Sequence, residues 1–192
     1  MERVRGEELP KVWMSMSEET VARVFSQLRK IFQELRALKP PPGTGVESCV
    51  GDSLYDSRLT RPKLGFGPFK TMQEFHSLLR QDSKPEDLID LQKDQDWYDL
   101  QDMMSKQDGP WPPPCFAHGD INPFNIIVHE GNVAGIIDWE FSGWYPDYWE
   151  YTSAWFGNIT RTEWQGVLDR FLDRPHPEVF KMEEIRNKWW GE

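Results

Sequence analysis

The chain has 192 residues, a formal net charge of −10 and 38% hydrophobic residues, among them ten Trp and eleven Phe. That length and aromatic content give one domain with a sizeable buried core. No run of eighteen apolar residues occurs, so no membrane span is expected, and the acid excess argues against nucleic acid and anionic membrane surfaces, both of which reward Lys and Arg.

The start, Met1-Glu2-Arg3-Val4-Arg5-Gly6, is charged and lacks the apolar stretch of a signal peptide. Residues 17–38 predict the first long helix: Val21, Val24, Phe25, Leu28, Ile31, Phe32, Leu35 and Leu38 recur at three- and four-residue steps. Ser17 suits its N-cap, Glu18 and Glu19 suit the positive end of its dipole, and Pro40-Pro41-Pro42-Gly43 stops it. Residues 40–70, rich in Gly, Pro, Ser and Asp, read as a long ordered loop. Gly65-Phe66-Gly67, with Lys63 and Lys70 nearby, reads as a turn there rather than a phosphate cradle. The capping box Thr71-x-x-Glu74 opens a short helix burying Phe75, Leu78 and Leu79. A further helix is predicted over 85–106, with Leu88, Ile89, Trp97, Leu100, Met103 and Met104 inward and its Asp residues on a solvated face. Cys49 and Cys115 form neither a metal spacing nor a disulfide framework, which fits reduced thiols of a cytoplasmic protein.

Trp111-Pro112-Pro113-Pro114 is a rigid connector into Phe116. Residues 125–129 and 133–138 are two apolar runs around Glu130-Gly131-Asn132 and predict a β-hairpin. Helices are expected over 147–156, 162–172 and 177–190, carrying Tyr148, Tyr151 and Trp155, then Trp164, Val167, Leu168 and Phe171, then Val179, Met182, Ile185 and Trp189.

The chemistry gathers around the hairpin. His118-Gly119-Asp120-Ile121-Asn122-Pro123-Phe124-Asn125 is followed by Ile136-Ile137-Asp138-Trp139-Glu140. The hairpin turn folds the chain back and brings Asn125 near Asp138. One carboxylate, an amide and a second carboxylate are what a phosphoryl-transfer site needs: Asp120 to orient or deprotonate the attacking hydroxyl, Asn125 and Asp138 to hold Mg²⁺ on the phosphates of ATP. His118 reads as a structural brace for the loop, with a catalytic acid or base as the alternative, and Gly119 gives room for a tight turn.

At these residues the sequence resembles the aminoglycoside phosphotransferase and choline kinase family, within the protein-kinase-like fold. The similarity extends to residues 1–12 as a hinge-like segment, to Gly67-Pro68-Phe69, and to Gly143-Trp144-Tyr145-Pro146 with Tyr148-Trp149-Glu150, which is similar to fungal members. The resemblance implies an α+β, mainly helical domain over 1–192: a C-lobe whose catalytic loop and small hairpin (116–140) carry the catalytic and metal motifs, without the N-lobe. It implies Asp120 as base, with Asn125 and Asp138 as metal and nucleotide ligands. Phe124, Trp139, Glu140 and Trp144 would then stand around a pocket for a small hydroxylated molecule, with the segment from Trp144 to Glu150 beside it. Phe124 stands where many family members carry a small or basic residue, which suits a more hydrophobic ligand.

The family's N-lobe supplies a glycine-rich loop and a lysine on the phosphates. Without them weak nucleotide affinity and little turnover are expected, since one lost charge-stabilising group costs about 3 kcal/mol in the transition state. Three readings follow. The first is a small-molecule phosphotransferase using Mg²⁺ and ATP. The second is a C-lobe enzyme repurposed for proton transfer or cyclisation of an apolar metabolite, with no cofactor. The third is a non-catalytic pseudokinase subunit, in which a homodimer or a partner chain covers the face turned towards the N-lobe.

Overall fold

The computed structural model describes residues 4–56, 65–88 and 93–191. Residues 1–3 of the hinge-like segment, Lys63, Ile89 and the side chain of Leu88 lie outside the described part. The elements run β1 (Glu7–Glu8), α1 (Leu9–Trp13), α2 (Glu18–Arg36), β2 (Glu47–Ser48), α3 (Met72–Leu79), α4 (Gln95–Gln107), β3 (Cys115–Ala117), β4 (Ile126–His129), β5 (Asn132–Ile136), β6 (Gly143–Tyr145), α5 (Trp149–Phe156), α6 (Thr162–Gln165) and α7 (Pro177–Trp190). Among the described residues no helix is long and apolar enough to cross a membrane. The chain divides into two compact units. The first holds residues 1–39, 116–142 and 149–174; the second holds 40–115, 143–148 and 175–192.

In the first unit, α2 forms where the apolar period places it. Ser17 Oγ accepts the Thr20 backbone N–H at 3.2 Å, and Val24, Phe25, Leu28 and Phe32 are buried. Leu38, just past the last turn, is exposed and belongs to no core. The predicted hairpin is β4 and β5, antiparallel, with Val128 opposite Val133 and an irregularity at Ile127/Val128. Glu130 (φ +48°) and Gly131 (φ +71°) are both left-handed, as a two-residue hairpin turn requires. The hinge-like segment adds a third strand: β1 pairs with β4, Glu7 opposite Val128 and Glu8 opposite Ile127. An aromatic core lies behind these elements, with Phe25, Phe32 and Trp164 each within 5.7 Å of the Phe171 ring. The helix expected over 162–172 is broken. Glycine is a poor helix former, and α6 stops at Gly166; a separate 3₁₀ turn, Leu168–Arg170, follows.

In the second unit, the described residues of the stretch 40–70 are held by short pairings. Val46 bridges Phe69, Leu54 bridges Phe66, and β2 pairs antiparallel with β6. Gly65 (φ +98°) and Gly67 (φ +74°) flank a buried Phe66, so this segment is a turn against Leu54. Thr71 caps α3, while Glu74 accepts the Lys70 N–H rather than that of Thr71, so the capping box is displaced by one residue. Met72 and His76 are buried on α3, while Leu78 is only half-buried. The single helix predicted over 85–106 is instead a 3₁₀ turn, Pro85–Leu88, and then α4. Asp94 starts α4 by accepting the Trp97 N–H at 3.1 Å. Its acidic face is not merely solvated: Asp99 meets Lys181 and Asp96 meets Lys188, both on α7. Trp189 at the end of α7 is 44% exposed, not inward. The unit also buries polar groups as matched sets. His76 lies between the Gln107 carbonyl and the Tyr148 hydroxyl, and Glu183 pairs with Arg186 at 3.0 Å. Burial pushes the Tyr148 hydroxyl well above its usual range and raises the Glu183 carboxyl, which Arg186 opposes.

Candidate functional site

The site is built on the loop that leaves β3. His118 is fully buried, and its backbone N–H donates to Glu150 Oε2 at 2.6 Å, while that of Gly119 donates to Oε1 at 3.2 Å. Glu150, itself buried on α5, therefore clamps two consecutive amides of the loop. The His118 ring spans the site. Its Nδ1 accepts the Asp120 backbone N–H at 3.2 Å, so the proton sits on Nε2, which donates to the Ile137 carbonyl at 2.9 Å. His118 thus ties the first motif to the residue before Asp138.

Gly119 has φ +83°, and a Cβ there would lie 2.7 Å from the Phe141 carbonyl oxygen. The turn that aims Asp120 therefore accepts no side chain at this position. Asp120 Oδ2 accepts from the amide nitrogens of Asn122 (3.1 Å) and Asn125 (3.0 Å), and both amides also reach the Asp120 carbonyl. Asn122 Oδ1 caps the 3₁₀ turn Pro123–Asn125 by accepting the Phe124 N–H at 3.0 Å. Asn125 is buried, and its carbonyl accepts the Ile137 N–H at 2.9 Å. Asp138 follows at once, exposed and left-handed (φ +66°), a conformation that Asp tolerates better than most residues.

Asn125 therefore spends its amide nitrogen on Asp120 and keeps its oxygen as the end a cation would meet. Among the described residues there is no group of three or more His, Cys, Asp or Glu that could cage a metal ion. One amide oxygen and one carboxylate fit Mg²⁺, which keeps waters and takes its remaining ligands from substrate phosphates.

The other candidates divide. Trp139 is 38% exposed, donates its Nε1–H to the Ile136 carbonyl at 2.7 Å, and lies 4.5 Å from the His118 ring. Glu140 beside it is exposed. Phe124 is 43% exposed, with the Arg161 guanidinium 5.3 Å from its ring centre. Trp144 is buried in the second unit, on β6 opposite Glu47. Two positioning roles are not assigned by the sequence. Asn122 carried a local signal, a capping residue directly before proline. Glu150 stood in the sequence only as the end of a segment resembling the family's; its part as a clamp left no local signal, because its partners lie about thirty positions away and only the fold brings them to its carboxylate.

A family model described as the phosphotransferase enzyme family matches residues 1–186. The chain belongs to that family. Its fold is shared with solved aminoglycoside phosphotransferase APH(4)-Ia structures: 15% identity and TM-score 0.56 to the enzyme itself, and 14% and 0.58 to a thermostable mutant (N202A) in ternary complex with AMP-PNP and hygromycin B. These matches cover 96% of this chain but only 60% and 59% of those chains, so this phosphotransferase-family chain spans about three-fifths of their length. At this identity the likeness establishes a shared fold. No curated protein matches the chain.

Proposed function

We propose that residues 1–192 are the acceptor- and metal-side part of a phosphotransferase acting on a hydroxyl group of a small molecule. The observation that carries this is the hydrogen-bonded arrangement of Asp120, with its Oδ2 held at 3.0 and 3.1 Å by the amides of Asn125 and Asn122 while Glu150 and His118 fix the loop beneath it. A carboxylate held this way is pre-aimed, and positioning supplies much of the barrier reduction in phosphoryl transfer.

Asp120 orients the acceptor hydroxyl and takes its proton as the oxygen bonds to the γ-phosphorus and the bond to the bridging oxygen of the leaving ADP breaks. Asn125, through its side-chain oxygen, and Asp138 would hold Mg²⁺, which when bound would neutralise charge on the phosphates. The Asn125 amide also keeps Asp120 and the metal side in fixed register, and His118 carries that register to Ile137. Trp139 and Glu140, exposed beyond Asp138, edge the same loop, whereas Trp144 contributes packing. No glycine-rich phosphate loop occurs among the described residues. A solved structural neighbour in ternary complex with AMP-PNP and hygromycin B supports a nucleotide and a small molecule as the ligand pair.

The test is paramagnetic. Mn²⁺ titrated into the ¹⁵N-labelled chain is expected to broaden the Asn125 side-chain amide first, and Asp138→Asn, which keeps the left-handed backbone, is expected to abolish the effect. No broadening at millimolar Mn²⁺, or equal broadening in the variant, overturns the reading. The exposed Phe124, four residues after Asp120, favours a second one: proton transfer on an apolar metabolite without nucleotide. Product formed in the absence of ATP, and lost in Asp120→Asn, would select it.

A further inference from the structure

The first unit contains a pocket of about 410 Å³ whose walls come from α1, the catalytic loop and the turn leading into α6. Trp13, Met14, Phe124 and Trp164 form its apolar lining, and Arg161 and Glu163 are its charged members. Its size falls in the range of small-molecule sites. Exposed apolar side chains gather here: Met14 is 91% exposed, Phe124 43%, and Ile159, next to the lining residue Thr160, 69%. The core supports the lining from behind, since the Trp13 ring packs edge-on against Phe25 at 5.4 Å and against Trp164 at 6.2 Å. The Trp13 and Trp164 wall is therefore packed against the core, while Met14 and Phe124 stay exposed.

Arg161 is the placed cation of the pocket. Its guanidinium lies over the Phe124 ring, and its Nη1 donates to Asn158 Oδ1 at 2.9 Å. Asn158 is buried and donates in turn to the carbonyl of Ile121 at 3.3 Å, a carbonyl that also accepts the Trp164 indole N–H at 3.4 Å. Two wall residues are thus tied to the residue that follows Asp120. A molecule in the pocket lies beside the loop that carries the base.

We infer that this pocket holds the planar, largely apolar part of the acceptor molecule, with a carboxylate or similar anionic oxygen group set against Arg161. The proposal rests on the phosphotransferase reading for the word acceptor, but the binding itself does not. Flat rings stack on Trp13 and Phe124, and the guanidinium presents paired donors to a carboxylate. A polycationic aminosugar would instead set like charge against Arg161, meet only the single carboxylate of Glu163, and bury few apolar atoms on the aromatic walls.

Isothermal titration of the 192-residue chain, without metal or nucleotide, distinguishes these. The probes are 2-naphthoate, 2-naphthylmethylammonium and hygromycin B. Naphthoate is expected to bind about tenfold tighter than the ammonium analogue, the size of one partly buried charge interaction. Arg161→Gln is expected to erase that preference, and Phe124→Ala to weaken both naphthyl probes; both side chains are exposed, the glutamine keeps an NH₂ that can serve the buried Asn158 Oδ1, and a cooperative thermal transition by circular dichroism checks that each variant is folded. Equal or tighter binding of the ammonium probe or of hygromycin B overturns the inference, as does unchanged affinity in both variants. If the Mn²⁺ experiment fails while naphthoate binds as expected, the phosphoryl chemistry falls and the pocket stands; the converse result removes the pocket alone.

Discussion

Glu150→Gln tests the scaffold of the site most directly. In the native chain both carboxylate oxygens are used, Oε2 by the His118 N–H at 2.6 Å and Oε1 by the Gly119 N–H at 3.2 Å, in a place where Glu150 is only 4% exposed. A glutamine amide offers one acceptor oxygen and one NH₂, so one of these loop N–H groups must face a donor. A buried donor left without a partner costs about 1–3 kcal/mol. In a chain of this length that lowers the melting temperature by roughly 2–4 °C per kcal/mol, or about 4–8 °C for a central value. Because the lost bond belongs to the loop, the Asn125 side-chain amide resonances, which report its bonds to Asp120, are expected to shift as well. Thermal unfolding followed by circular dichroism, with a ¹H–¹⁵N spectrum of the side-chain amides, measures both. A variant that melts within a degree of the parent with unmoved Asn125 resonances refutes the claim that Glu150 clamps the catalytic loop.

Other consequences follow from the same structure. Gly119→Ala forces a non-glycine residue to φ +83° and drives its Cβ towards the Phe141 carbonyl; a loss of about 1–3 kcal/mol in urea denaturation is expected, and an unchanged midpoint would contradict the geometry. Burial holds the His76 imidazole down at about 4, against 6.5 unfolded. The folded state therefore binds fewer protons than the unfolded one across that window, and stability that is full above 6.5 is lost as pH falls to about 4. The loss is on the order of 3 kcal/mol. His76→Gln should flatten this part of the pH profile, and identical profiles would refute the assignment. Lys181→Met with Lys188→Met, which breaks the exposed pairs to Asp99 and Asp96, should cost under about 1 kcal/mol for each pair and less in high salt; a larger, salt-independent loss would mean these pairs are more than surface contacts.

Local rules carried the sequence reading where the relevant partners are close along the chain. The Ser17 cap, the apolar stripe of α2 and the Glu130-Gly131 turn all depend on residues within a few positions of one another, and each forms where it was expected. The misjudged boundaries share one cause. Over 85–106 and 162–172 the apolar period continues across residues whose backbone chemistry interrupts it: Asp94 prefers to cap and Gly166 to stop. Periodicity reports which face could be buried, not whether the helix is continuous. Inward positions at helix ends, such as Leu38 and Trp189, failed because burial depends on what lies opposite them.

The sequence by itself determined the order of the chemistry: a base candidate, an amide five positions on, and a carboxylate after a hairpin that must return. Those spacings are set by turn geometry, which is local. Tertiary structure decided how that set is held and what it faces. Glu150 reaches the loop from α5, His118 joins it to Ile137, and Arg161 and Trp13 come from opposite ends of the first unit's sequence to line one pocket with Phe124. Hydrogen bonds and aromatic contacts between residues that distant leave no periodic trace in the chain, because they depend only on where folding places the atoms.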